Sequence, residues 1–284
     1  MSADHAGASG AGQDTDPQDT DPQDADLQGP ALFSDERQEA ILAEISRKGR
    51  ASVAALAERF AVVGETIRRD LAELERRGVI RRVHGGAIPA EKVTFEPPIE
   101  DRASRMTAEK ERIAMAALSE LPAEGSIFIE AGSTPSYLAN ALPSDRALTV
   151  VTNGGYTANA LARHDNLTVL SVGGRVRPRS LACVDDWALD VLSGLHVDVA
   201  FLGTNGISAG AGLTTPDLAE AAVKRATLTI AARTVLLADH SKVGMVTMAR
   251  YGELTQIDLL ITDSGLPIED MRDLRDAGLR VIRA

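Results

Sequence analysis

Apolar side chains fall at helical spacing near the start of the chain and in short unbroken runs later. Over residues 35–48, Ile41, Leu42 and Ile45 share one face, with Ser34 placed to cap the helix and Gly49 to stop it. Ser52 can cap a second short helix that buries Val53, Leu56 and Phe60. A turn over residues 61–64 leads to a third helix, where Ile67, Leu71 and Leu74 fall at i, i+4 and i+7. At roughly 100° per residue, Arg69 and Arg76 point away from that apolar face, Glu65 and Ala72 lie beside them, and Arg68 sits on the flank. Gly78 suits the left-handed C-cap. Residues 79–84 then read as a strand, and Gly85-Gly86 as a tight turn.

Residues 89–105, with Pro97-Pro98, read as an extended linker. A helical pattern follows over residues 107–121, carried by Ile113, Ala114, Ala117, Leu118 and Leu121. From Gly125 the pattern is strand, loop, helix, repeated. Strands are predicted at 126–130, 148–151, 167–172, 197–202, 235–238 and 259–262, and helices at 135–142, 156–163, 218–232 and 268–277. Continuous apolar strands alternating with helices predict an α/β domain with a mostly parallel sheet buried on both faces. The expected organisation is a tail at 1–32, a small helical domain at 33–90, a linker at 91–105 and the α/β domain at 106–284.

Composition changes this picture in three places. The net charge of −11 is unevenly spread. Residues 1–30 carry seven Asp and no Lys or Arg, whereas residues 31–95 carry 12 basic and 10 acidic side chains. The tail repeats Asp-Thr-Asp-Pro-Gln and has little to bury, so it is expected to be disordered. It either competes with nucleic acid for a basic face or only solubilises the chain. A single cysteine, Cys183, excludes an intramolecular disulfide and suits a reducing cytoplasm. No apolar run approaches the roughly 18 residues of a membrane span, and no signal-peptide pattern opens the chain.

From Arg68 to His84 there are six Arg against three acids. A positive patch on an acidic chain has two readings. One is a solvated amphipathic helix followed by a hairpin. The other is phosphate contact. Helix, helix, turn, helix and basic hairpin make a winged helix-turn-helix, whose third helix enters the major groove of double-stranded DNA. Glu65, Thr66 and Arg69 then reach base edges and Arg68 and Arg76 reach phosphates, while Arg81, Arg82 and His84 on the wing meet the backbone or minor groove. Ser52, at the start of the second helix, joins the DNA-facing set.

Thr66-Ile67-Arg68-Arg69-Asp70-Leu71, Leu74, Gly78 and Arg81-Arg82-Val83-His84-Gly85-Gly86-Ala87 resemble the DeoR family of bacterial repressors. Val63 stands where the family usually has Ser or Thr to cap the recognition helix, which leaves Gly64 as a weaker cap. The resemblance continues in Gly203-Thr204-Asn205-Gly206-Ile207, in Gly212-Leu213-Thr214-Thr215-Pro216-Asp217 with Glu220, Lys224 and Arg225, and in Leu236-Leu237-Ala238-Asp239-His240-Ser241-Lys242. These look like the family's sensor domain, which is similar in fold to ribose-5-phosphate isomerase and glucosamine-6-phosphate deaminase.

In an open α/β sheet, ligands bind beyond the carboxyl ends of the strands. Those ends carry Gly132-Ser133-Thr134, Asn153, Gly174-Arg175, Asn205 and Asp239 to Lys242, with Thr215 nearby. Such loops either merely build turns or form a site for a small anionic polyol. The resemblance implies a phosphorylated sugar as effector, with Ser133, Thr134, Asn153, Arg175 and Lys242 as contacts, and it matches Lys224 to a recurrent lysine. Two departures stand out. Asn205 replaces the family's common Asp, which removes a negative charge from the pocket, and Asp185-Asp186 replaces a common Gly-Pro.

The expected protein is a repressor of a sugar-metabolism operon, released by a phosphorylated sugar, acting as a dimer or larger assembly and free of the membrane. The other reading is a sugar-phosphate isomerase or deaminase carrying a nucleic-acid-binding domain, for which Asp239 and Glu220 are the available carboxylate bases. The five His are scattered, no metal-spacing cluster is present, and neither a phosphate-loop nor a nucleophile-elbow motif occurs, so no cofactor or metal is expected.

Overall fold

The computed structural model describes residues 34–76, 79–83, 85–89 and 96–284. The acidic tail, the Gly78 cap and His84 lie outside the described residues.

The first unit contains α1 (Ser34–Lys48), β1 (Ala51–Ser52), α2 (Val53–Arg59), α3 (Gly64–Arg76), β2 (Ile80–Val83) and β3 (Gly86–Pro89). Strands β2 and β3 pair antiparallel, and β1 adds to β3, so the wing is a three-stranded sheet. Ile41, Ile45, Leu56, Ile67, Leu71, Leu74 and Ile80 form the core, including the whole predicted face of the third helix. Two polar contacts lock it. Ser52 accepts from Ala55 N–H at 3.1 Å and caps α2. Asp70, buried on the inner side of α3, accepts from Arg37 Nε at 2.6 Å and Nη2 at 3.2 Å, which ties α1 to α3. That bond raises the Arg37 pKa.

The predicted linker is not extended throughout. Residues Ile99–Ala103 form a short helix, α4, before α5 (Thr107–Ala117). Pro98 opens α4, where a missing N–H costs nothing. Lys110 of α5 holds its end by donating to the carbonyls of Arg102 and, at 2.6 Å, Arg105.

The second unit then runs β4 (Gly125–Ile129), α6 (Ser133–Asn140), β5 (Leu148–Thr152), α7 (Gly155–Leu161), β6 (Leu167–Ser171), β7 (Arg175–Val176), β8 (Cys183–Val184), α8 (Asp186–Ser193), β9 (Val197–Leu202), β10 (Gly206–Ser208), β11 (Gly212–Thr215), α9 (Leu218–Ile230), β12 (Ala231–Leu237), β13 (Ala249–Gly252), β14 (Leu259–Thr262), α10 (Ile268–Asp276) and β15 (Val281–Arg283). Seven strands make one parallel sheet in the order β15-β14-β12-β9-β4-β5-β6. Each strand sends alternate side chains to opposite faces, and both faces are apolar. Ile127, Ile129, Val199, Phe201, Val235 and Leu237 pack with Ile113 and Leu138 on one side. Phe128, Ala200, Leu202 and Leu236 pack with Leu192, Ala221 and Leu274 on the other. This two-sided burial is why the strands read as unbroken apolar runs. A small antiparallel sheet, β10-β11-β13, flanks the main one.

The chain builds β4, β5 and β6 outward in one direction, then returns to place β9 on the other side of β4. The order reverses between β4 and β9. Loops leaving the carboxyl ends of those two strands therefore diverge and leave a crevice, the usual ligand position of a doubly wound sheet.

Candidate functional site

The floor of that crevice is a buried ion pair. Glu130 follows β4 and Lys224 lies on α9, each side chain 5% exposed, with Nζ 2.5 Å from Oε1. Lys224 also donates to Gly203 O at 2.8 Å, and Gly203 N–H donates to Glu130 Oε2 at 2.8 Å. The Tyr251 ring lies 5.0 Å from Nζ. Burial pushes the Tyr251 hydroxyl up to about 12. Burial works against the Lys224 charge, but Glu130 and Tyr251 hold its pKa above the ordinary lysine value. The ammonium group is thus engaged by protein groups on several sides, and Lys224 acts first as the pillar joining the β4 and β9 loops.

Above this floor lies a polar cleft of about 30 Å³ lined by Arg102, Ser133, Thr134, Thr204, Asn205 and Lys242, among others. It shares Ala131, Gly132, Ser133 and Ser180 with a larger cavity of about 330 Å³ that also reaches Tyr137, Asn140, Tyr156 and Thr157. Ser133 and Thr134 open α6, so first-turn N–H groups face the cleft region. The Thr215 hydroxyl lies 3.1 Å from both Asn205 Oδ1 and Glu220 Oε2, and its single proton serves one of them at a time.

Of the sequence-predicted contacts, Gly132, Ser133, Thr134, Asn205, Lys224 and Lys242 come together here. Thr215 is fully buried behind Asn205. Asn153 is buried and accepts from Ala131 N–H at 2.8 Å, so it shapes the loop after β4. Asp239 is buried and accepts from Ser241 N–H at 3.0 Å, capping the turn His240–Lys242. Gly174 fits against α8 and β8, because a Cβ there would lie 2.7 Å from Val184 O.

Arg175 is a correction. Its side chain is 57% exposed and its Nε pairs with Asp185 at 2.5 Å, away from the cleft lining. Asp185 has φ of +72°, the left-handed region that favours glycine. The carboxylate that replaces the family's common glycine thus holds the arginine outside. Arg102 from α4 lines the cleft, which linker composition did not suggest. Glu96, equally missed, is buried between Arg102 and Arg177. Arg177 reaches on to Asp217 at 3.0 Å and Glu220 at 3.1 Å.

On the first unit, Glu65, Arg68, Arg69 and Arg76 are exposed along α3, and Thr66 is half-buried. Arg68 pairs with Glu65 at 3.1 Å, and Arg76 pairs with Glu73. Arg82 is exposed. Arg81 is a second correction, since it is not an open phosphate contact in this conformation. Its Nη2 donates to Gly244 O at 2.5 Å, and burial pulls its pKa down. The wing and the α1–β1 turn rest on the second unit. Arg50 forms a buried ion pair with Asp270 at the start of α10, and a Cβ at Gly49 would come within 3.1 Å of Ser241 Cβ.

The segment between cleft and wing carries a titratable pair. His240 Nδ1 lies 2.7 Å from Asp263 Oδ1, and a carboxylate only accepts, so Nδ1 carries the proton. Burial opposes the His240 charge, yet the Asp263 bond, helped by Asp239 and Glu109, raises its pKa. Burial likewise opposes ionisation of Asp263, but the His240 bonds hold its pKa low. The histidine's contribution to stability is full below its unfolded pKa, about 6.5, and is lost as pH rises through the higher folded value. That of Asp263 is present above about pH 4 and is lost as pH falls further. His240→Asn should therefore flatten the loss of stability that sets in as pH rises above about 6.5. Chemical denaturation at several pH values checks this, and parallel profiles for both proteins would remove the ring from the linkage.

A winged helix-turn-helix joined to an α/β unit with a cleft at its strand ends defines a two-domain transcriptional regulator. Residues 37–93 match the DeoR-like helix-turn-helix domain and residues 105–264 match the DeoR C terminal sensor domain. The chain belongs to the DeoR family. It is 36% identical over 251 residues to the HTH-type transcriptional regulator GlpR of Haloferax volcanii, covering 88% of this chain and 98% of that one. It is 34% identical over 242 residues to the glycerol-3-phosphate regulon repressor of Escherichia coli K12, covering 85% and 95%. A putative aga operon transcriptional repressor of Escherichia coli O157:H7 is 31% identical, covering 88% and 93%. Ribose 5 phosphate isomerase A from Neisseria gonorrhoeae superposes over 50% of this chain and 54% of its own at 20% identity, with a TM-score of 0.36. The curated relatives are regulators over nearly their whole length, so the regulator reading stands and the isomerase or deaminase reading gives way. Among the described residues, no helix is long and apolar enough to cross a membrane.

Proposed function

We propose that this protein represses a sugar-metabolism operon and that a phosphorylated sugar, bound in the cleft between the β4 and β9 loops, releases it from its operator. One observation carries the reading. Lys242 lines the cleft, and two residues on, Gly244 O holds the wing through Arg81. An anion drawn to Lys242 acts on the same turn that grips the DNA-binding unit. The names of the relatives, a glycerol-3-phosphate regulon repressor among them, support a phosphorylated effector. The cation, hydroxyls and α6 amides support one too. Asn205, neutral where many family members carry Asp, favours an anion further. The protein works on cytoplasmic DNA, and assembly into a dimer or larger oligomer places one α3 on each half-site.

A ligand moves an equilibrium only by its difference in affinity for the two states. Lys242→Ala should leave operator binding intact and abolish release. Fluorescence anisotropy of labelled operator is followed while glycerol 3-phosphate, ribose 5-phosphate or glucosamine 6-phosphate is titrated into both proteins. Equal release from both removes Lys242 from the site. No release from wild type by any phosphorylated sugar overturns induction itself.

A further inference from the structure

We propose that Arg102, on the linker helix α4, is a phosphate-binding residue of the effector site, so that the site is built jointly by the sensor domain and the segment leading to the DNA-binding unit. The inference rests on the reading that an anionic ligand occupies the cleft. Arg102 lines that cleft with Lys242, opposite the start of α6. Its side chain is only 14% exposed. Nη2 lies 3.0 Å from Glu96 Oε1 and donates to Arg179 O at 3.3 Å, but Nε is buried without a hydrogen-bond partner. A guanidinium carries five donors, of which the Arg179 carbonyl takes one, so the fork retains donors for an anion in the cleft.

The neighbouring charges agree. Glu130 is neutralised by Lys224, and Glu220 by Arg177, while Glu96 is shared between two arginines. Arg102, Arg105 and Lys242 then stand around Lys110, on which Asp239 is the acid that acts. Burial brings Lys110 down to about 8; Asp239 opposes the shift, and Lys242, Arg102 and Arg105 each add a smaller contribution to it. Arg102 is also placed firmly, because Lys110 grips the carbonyl of Arg102 itself. A fork-shaped guanidinium paired with a point-charge ammonium is a common phosphate clamp.

The test uses the full chain and a thermal-shift titration with glycerol 3-phosphate, ribose 5-phosphate and glucosamine 6-phosphate, each beside its unphosphorylated counterpart. For the phosphorylated sugar that stabilises wild type, Arg102→Gln should weaken binding by about 10- to 100-fold. Arg102→Lys should recover part of that loss, and affinity for the unphosphorylated sugar should change little. Unliganded melting and operator binding show whether each variant is folded. If Arg102→Gln misfolds, Arg102→Lys must still show a selective loss for the phosphorylated sugar. Equal loss for phosphorylated and unphosphorylated sugars, or no loss, overturns the assignment while leaving the cleft as the effector site. A wild type that no phosphorylated sugar stabilises overturns both.

Discussion

Lys224→Met should cost the protein about 3–5 kcal/mol of stability, because it strands the Glu130 carboxylate in a site nearly closed to water. The lost groups are specific. Glu130 loses a charged donor, Gly203 O loses a hydrogen bond, and Tyr251 loses the cation beside its ring. Burial already pushes the Glu130 carboxyl above its usual range against the pull of Lys224. The variant should therefore take up a proton at Glu130 and recover stability as pH falls. Pairing Lys224→Met with Glu130→Leu should restore most of the loss, since a well-packed apolar pair often matches a buried ion pair. Urea unfolding of the two single variants and the double gives the coupling directly. Near-additive losses, or a loss below about 1 kcal/mol as for an exposed pair, would show that the pair is solvated and that the β4 and β9 loops are held by other means.

Sequence foretells structure here where one element's own periodicity decides it. Ile67, Leu71 and Leu74 mark the buried face of α3 because the reading helix must hide that stripe and nothing else. The strands were legible for the opposite reason. With helices on both faces, no position of β9 or β12 beyond their first residues has to be polar. What escaped was short or long-range. Helix α4 has five residues, too few for a period, and its place is fixed by Lys110 and Glu96 rather than by its own sequence. Glu130 and Lys224 are 94 residues apart, and no local pattern joins them. Arg175 leaves its expected place for the same kind of reason, because a loop cation turns to the nearest acid, here Asp185.

Arg69→Ala should lose roughly 1–3 kcal/mol of discrimination between operator and random DNA, about 5- to 150-fold, with little change in stability. The residue lies at the exposed centre of α3, on the side away from Ile67, Leu71 and Leu74. Surface changes of that kind stay within about 0.5 kcal/mol of wild type in unfolding free energy, so a binding defect cannot be assigned to misfolding. Arg76 lies on the same helix but at its end, where a groove-bound helix meets the backbone rather than the bases. Arg76→Ala should weaken operator and random DNA alike and lower the salt slope by about one counterion. The two variants therefore separate base reading from phosphate contact within one element. Anisotropy titrations of both, on operator and random duplex at several salt concentrations, make the measurement. An unchanged operator-to-random ratio in Arg69→Ala would place base reading elsewhere on α3, with Glu65 and Thr66 as the remaining side chains at its N-terminal end.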